Sequence, residues 1–196
     1  MASVVVLEIL MKNGYVINVT AVDRPGIVAA VSSAIVKLGG NVESCSQTVL
    51  DGYFTLIMTF STSESYESES LKETILAEPS LEGCQACVFP QTSQTRSKVA
   101  SNANSYVVTA FGRDCEGIVA QFTRYLGDKE INIIDLYGSI TSDGEFVLIS
   151  QVEIEPHVDL QNIQLDLETL GAQLGFTVRI QHNDVFVATN QIRLDR

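Results

Sequence analysis

Apolar residues along this chain change their period wherever glycine, proline or a polar cluster interrupts them. "YVINVTAV" (15–22) is β-branched and mostly apolar, which predicts a strand. Past the corner Asp23-Arg24-Pro25-Gly26, residues Ile27, Val31, Ala34, Ile35 and Leu38 follow at steps of 4, 3, 1 and 3. That spacing is one apolar stripe of an α-helix, and Gly39-Gly40 predicts its end. "NVESCSQTVL" and "YFTLIMTF" flank Asp51-Gly52, the sequence signal of a tight hairpin. A helix around Leu71, Ile75 and Leu76 and a strand over "CQACVF" complete a βαββαβ order.

The pattern then recurs. Shifted by 91 residues, Tyr15-Val16 meets Tyr106-Val107, Asp23 meets Asp114, Gly26-Ile27-Val28-Ala29 meets Gly117-Ile118-Val119-Ala120, and Asn41 meets Asn132. One extra residue in the turn "TSDGEF" moves the offset to 92, so that Phe54 meets Phe146. A second register, matching "VTA" at 19–21 with "VTA" at 108–110, would place two extra residues in the second corner. In the second copy "SYVVTAFG" predicts a strand. Ile118, Phe122, Tyr125 and Leu126 predict a helix, and "NIIDLYGSI" with "EFVLISQVEI" a hairpin. Leu160, Ile163, Leu167, Leu170 and Leu174 give a second helix, and "FTVRIQ" the last strand. The expected class is α+β: two ferredoxin-like βαββαβ units, each an antiparallel sheet with its helices on one face. Their expected bounds are 13–89 and 105–183. Residues 90–104, rich in Ser, Thr, Gln and Asn, read as a linker. Residues 1–12 ("VVVLEIL" within them) read as an extra strand, and 184–196 as a C-terminal tail.

Composition then narrows the functions. The net charge of −12, from 24 acidic and 12 basic residues, disfavours a phosphate-backbone partner, so no direct nucleic-acid binding is expected. "VVVLEIL" is too short to span a membrane and lacks the basic start and cleavage site of a secretory signal. Four cysteines in 196 residues suit free thiols in a reducing, cytoplasmic setting. Cys84-x-x-Cys87 has redox or zinc spacing, but no second pair completes a metal site, and no metal or cofactor is expected.

The stretch from Ala21 to Phe60, a D-R-P-G-I corner, a helix and then G-x-N before the second strand, resembles an ACT domain, the small amino-acid-sensing module. The tandem pair over 13–183 resembles the glycine cleavage system transcriptional repressor group. That resemblance implies a non-catalytic regulator: a small amino acid binds at a contact between ACT domains and modulates a protein partner. It implies a ligand seat at Asp23, Arg24, Pro25, Gly26 and Ile27, with Asn41 at the start of the second strand. In copy two the seat would be Asp114, Cys115, Glu116, Gly117 and Ile118, with Asn132. There "RDCEGIV" departs from the family's pattern, because Glu116 stands where the first copy has Pro25.

The residues themselves support more than one role. The first turn of a helix has unpaired N–H groups and a partial positive charge, so a carboxylate can dock there. Asp23 can attract an ammonium group or cap the helix. Pro25 suits a first helical position, and Gly26 permits close approach. Pro-Gly is also ordinary turn chemistry. Asn41 and Asn132 can face a ligand or hold a left-handed turn after the helix, and the turn is the favoured role. Cys115 at a helix start suggests a thiol-dependent enzyme as the alternative, although His157 and His182 are isolated in sequence. A structural oligomerisation module is the third possibility. Sheet edges left unpaired in each unit make a homodimer the expected assembly.

Overall fold

The computed structural model describes residues 13–92 and 104–190. Two units, Met1–Val99 and Ala100–Arg196, divide the chain. The expected strand over 1–12 lies outside the described residues, as does most of the expected linker.

The first unit runs β1 (Asn13–Val22), α1 (Ile27–Lys37), β2 (Asn41–Leu50), β3 (Tyr53–Thr62), α2 (Ser68–Leu76), a 3-10 turn (Pro79–Leu81) and β4 (Gln85–Pro90). The strands pair antiparallel in the order β2-β3-β1-β4. Alternate residues of β1 and β3 face the helices, and Ile17, Val19, Leu56, Met58 and Phe60 are buried there with Ile27, Val31 and Ile35 of α1 and Leu71 and Ile75 of α2. The helical stripe read from the sequence is therefore the buried one. β2 is different: it sits at the sheet edge and is exposed over nearly all its length.

The second unit repeats the order: β5 (Asn104–Arg113), α3 (Ile118–Asp128), β6 (Asn132–Ile140), β7 (Glu145–Ile154), α4 (Leu160–Leu174) and β8 (Phe176–His182). Its sheet is β6-β7-β5-β8, again antiparallel. Val108, Ala110, Phe122, Leu126, Leu148, Val152, Ile163 and Leu167 form its core. The corner keeps the offset of 91, since β1 and α1 start at 13 and 27 and β5 and α3 at 104 and 118. The alternative "VTA" register is thereby excluded. The turns carry the extra residue instead. Asp51 and Gly52 both take positive φ (49° and 79°), a two-residue turn whose twist suits a hairpin. The second turn closes over three residues, with Thr141 N–H donating to Glu145 O and only Gly144 left-handed.

Two local expectations change. Cys84 precedes β4 rather than lying in it. Residues 184–190, expected as tail, belong to a short helix α5 (Asn183–Asn190) that packs against β5 and β8.

Candidate functional site

The corner of the first unit lies where the central strand β1 ends. Asp23 N–H donates to Gly52 O at 2.8 Å, which pins the corner to the β2–β3 turn. The helix begins at Ile27, and its N-cap is Gly26 in a left-handed conformation (φ 97°). Asp23 therefore does not cap it, and Pro25 lies outside the helix instead of at its first position. The reason is the left-handed Gly26, which turns the chain sharply into the helix and pushes both residues out of capping register. An L-residue pays for such a φ, while glycine does not.

This cap leaves chemistry unused. The first intrahelical bond is Ala30 N–H to Gly26 O at 2.9 Å. The amides of Ile27, Val28 and Ala29 have no helical acceptor, and no side chain caps them. In contrast, the carboxylate of Asp159 at the start of α4 takes the amides of Gln161 and Asn162. The free amides of α1 open onto a cleft of about 470 Å³ lined by residues 23–29 together with Gln47 of β2 and Phe54 of β3. At Gln47 the helix-facing side of the exposed edge strand β2 contributes to the cleft wall. An anion over the amides gains hydrogen bonds and the positive end of the helix dipole together.

Arg24 acts elsewhere. Its Nη2 donates to Ser80 O (3.1 Å) and Glu82 O (2.7 Å), and lies 3.4 Å from Cys84 Sγ. The guanidinium clamps the turn after α2 to the corner. Its partners are backbone carbonyls 56 and 58 residues away, which no motif announces.

Asn41 is not brought to this corner. It pairs with Ser61, which pairs with Gly14, while the corner follows Val22 in the same strand. Eight strand positions separate the two places, roughly 26 Å at 3.3 Å per residue. Asn132 sits at the equivalent far end, where Nδ2 donates to Glu153 Oε2 at 3.2 Å. Nor does either hold a left-handed turn. Gly39 (φ 70°) and Glu130 (φ 57°) take that conformation, and both asparagines are already in strand. The helix closes two residues earlier than that reading needs, with Gly40 N–H and Ile131 N–H returning to Ile35 O and Leu126 O.

The second corner has the same backbone and different side chains. Gly117 is the left-handed N-cap of α3 (φ 81°), again without a side-chain cap. Asp114 and Glu116 are exposed. Cys115 is half-buried and packs against the core of its unit. Tyr106, at the opposite end of β5, pairs with His182, and the β7–α4 connection holding His157 follows Ile154, which pairs with Asn104. Both histidines thus lie at the far end of the sheet from Cys115. Cys84 and Cys87 are free thiols, and among the described residues no cluster of three metal-ligating side chains occurs.

The ACT domain family model matches residues 15–86 and 105–181. The chain belongs to the ACT domain family. Curated relatives match a little under half of the chain over nearly their whole length. The UPF0237 protein of Methanocaldococcus jannaschii is 36% identical over 87 residues, 44% of this chain and 96% of that one. That of Methanococcus maripaludis is 33% identical over 87 residues, with the same coverage of 44% and 96%. Among solved structures, an unknown protein from Galdieria sulphuraria superposes with a TM-score of 0.73 at 24% identity, over 87% of this chain and 98% of that one. A chain described as a candidate glycine cleavage system transcriptional repressor gives 0.60 at 19% identity, over 88% and 99%. At these identities the structural likeness is one of fold, shared across both ACT units. No helix among the described residues is long and apolar enough to cross a membrane.

Proposed function

We propose that this tandem ACT protein is a non-catalytic regulator whose first unit binds a small amino acid at the Asp23–Ile27 corner and thereby alters how the chain meets a partner protein. The observation that carries the reading is the uncapped helix start: three free amides behind a left-handed Gly26, opening onto a cleft with Asp23 on its rim. The ligand carboxylate takes the amides, and its ammonium group takes Asp23. Gly117 offers the same backbone, but Glu116 places a carboxylate beside it. Like charges about 4 Å apart repel by roughly 1 kcal/mol in water and by more near a desolvated surface. The first corner is therefore the tighter site. The thiol-enzyme alternative has no observation in its favour, because Cys115 packs on the core with both histidines at the other end of the sheet. A homodimer belongs to the same proposal, since β2 and β6 are exposed edge strands carrying apolar residues such as Val49, Leu50, Leu136 and Tyr137. Thermal-shift screening with the common amino acids tests the reading. A ligand that binds the native state raises Tm, and no rise with any amino acid at millimolar concentration would overturn it.

A further inference from the structure

We infer that the first corner selects an amino acid with an uncharged, hydrogen-bonding side chain, a hydroxyl or a carboxamide, and that Gln47 makes the selection. The inference rests on the proposed seat and adds the ligand class to it. Charge excludes acidic side chains. Arg24 is the cationic residue on the cleft wall, and its Nη2 is already held by two carbonyls of the turn after α2. One ligand carboxylate can use the helix amides; a second would have to draw the Arg24 guanidinium away from those carbonyls and would approach Asp23. Charge also limits basic side chains, because Asp23, the carboxylate of the wall, is matched by the ligand's own ammonium group.

Gln47 supplies the positive selection. It stands on the edge strand β2, in the row of Leu56, on the helix-facing side of the sheet. Its side chain makes no hydrogen bond to the described residues, and it lines the cleft opposite the amides of α1. A carboxamide offers both a donor and an acceptor. It can therefore pair with a hydroxyl or another amide, while an apolar ligand of the same shape would cover it without replacing its hydrogen bonds to water.

Two isosteric pairs separate these terms. Titrating the full chain with threonine and valine reads the hydrogen bond, and with asparagine and aspartate the charge. The expected result is threonine about fivefold tighter than valine and asparagine about fivefold tighter than aspartate. In Gln47→Leu the threonine preference should vanish while the asparagine preference remains. In Gln47→Lys aspartate should overtake asparagine. Gln47 is exposed on an edge strand, and circular dichroism of each variant checks that the fold is kept. Valine matching threonine, aspartate matching asparagine, or an unchanged threonine preference in Gln47→Leu would overturn the inference and leave the amino-acid seat standing. No binding by any of the four, nor by any other amino acid, would remove the seat as well.

Discussion

Gly26 is the position where conformation and binding can be pulled apart. A Cβ built there meets nothing within 4 Å, yet φ is +97°. Alanine would thus suffer no clash and only the torsional cost of the left-handed region, about 1–2 kcal/mol. Each kcal/mol lowers Tm by roughly 4–8 °C in a unit of this size, so Gly26→Ala should melt about 4–16 °C lower. Asparagine tolerates the left-handed region through local hydrogen bonding. Gly26→Asn should accordingly melt much closer to the wild type, while placing a side chain at the cleft that Gly26 lines. Calorimetric melting of both variants, with isothermal titration of the amino acid found by screening, gives the two readouts. The expected pattern is a marked Tm loss in Gly26→Ala and, in Gly26→Asn, affinity reduced about tenfold or more with little Tm loss. An alanine variant as stable as the wild type would refute the conformational argument. An asparagine variant with wild-type affinity would move the seat away from this corner.

Other consequences follow from single contacts. Arg24→Met removes the clamp on Ser80 O and Glu82 O; with the exposure of that contact, the cost should be about 1 kcal/mol. Hydrogen exchange should quicken at Cys84 N–H, which donates to Leu81 O in the clamped turn, and unchanged exchange there would count against the clamp. Gly112 lies where a Cβ would stand 2.6 Å from Gly175 O, so Gly112→Ala should destabilise the second unit by roughly 1–3 kcal/mol in chemical denaturation. Burial, then the hydrogen bond to Asp166, holds the Tyr125 hydroxyl well above its ordinary pKa of 10.0. The folded chain keeps that proton when the unfolded chain loses it, so the contribution is full below about pH 10 and declines as pH rises further. Tyr125→Phe should flatten the loss of stability above pH 10, and an identical alkaline slope would contradict this.

The architecture was legible because its signals are local. The helical stripe from Ile27 to Ile35 and the Asp51-Gly52 turn are short-range patterns, and the change of offset from 91 to 92 falls where the second hairpin turn holds three residues. The site was legible only as a place. The sequence leaves Asp23 open between a helix cap and an ammonium partner and suits Pro25 to a first helical position, because it shows side chains and not the sign of φ at Gly26. Arg24 looked like a ligand contact because its acceptors are main-chain carbonyls that any residue could supply. Asn41 recurred with the corner, but recurrence reports the repeat and not proximity, and the pairing of Asn41 with Ser61 sends it to the opposite end of the sheet. Gln47 was missed altogether. An exposed glutamine in a polar edge strand carries no pattern, and only the register of β2 against β3 brings it opposite the helix amides. At 183–190, "NDVFVATN" is too short for a helical stripe to be distinguished from a tail, and the contacts with β5 and β8 come from tertiary structure.

The central claim concerns three amides, and they can be observed directly. In a 15N-labelled sample of the full chain titrated with the amino acid found by screening, a carboxylate docking on the start of α1 should move the N–H resonances of Ile27, Val28 and Ala29 downfield as the site fills. The equivalent resonances of Ile118, Val119 and Ala120 should respond only at higher ligand concentration, because Glu116 adjoins them. Saturable shifts confined to other residues, with Ile27–Ala29 unmoved, would contradict the account.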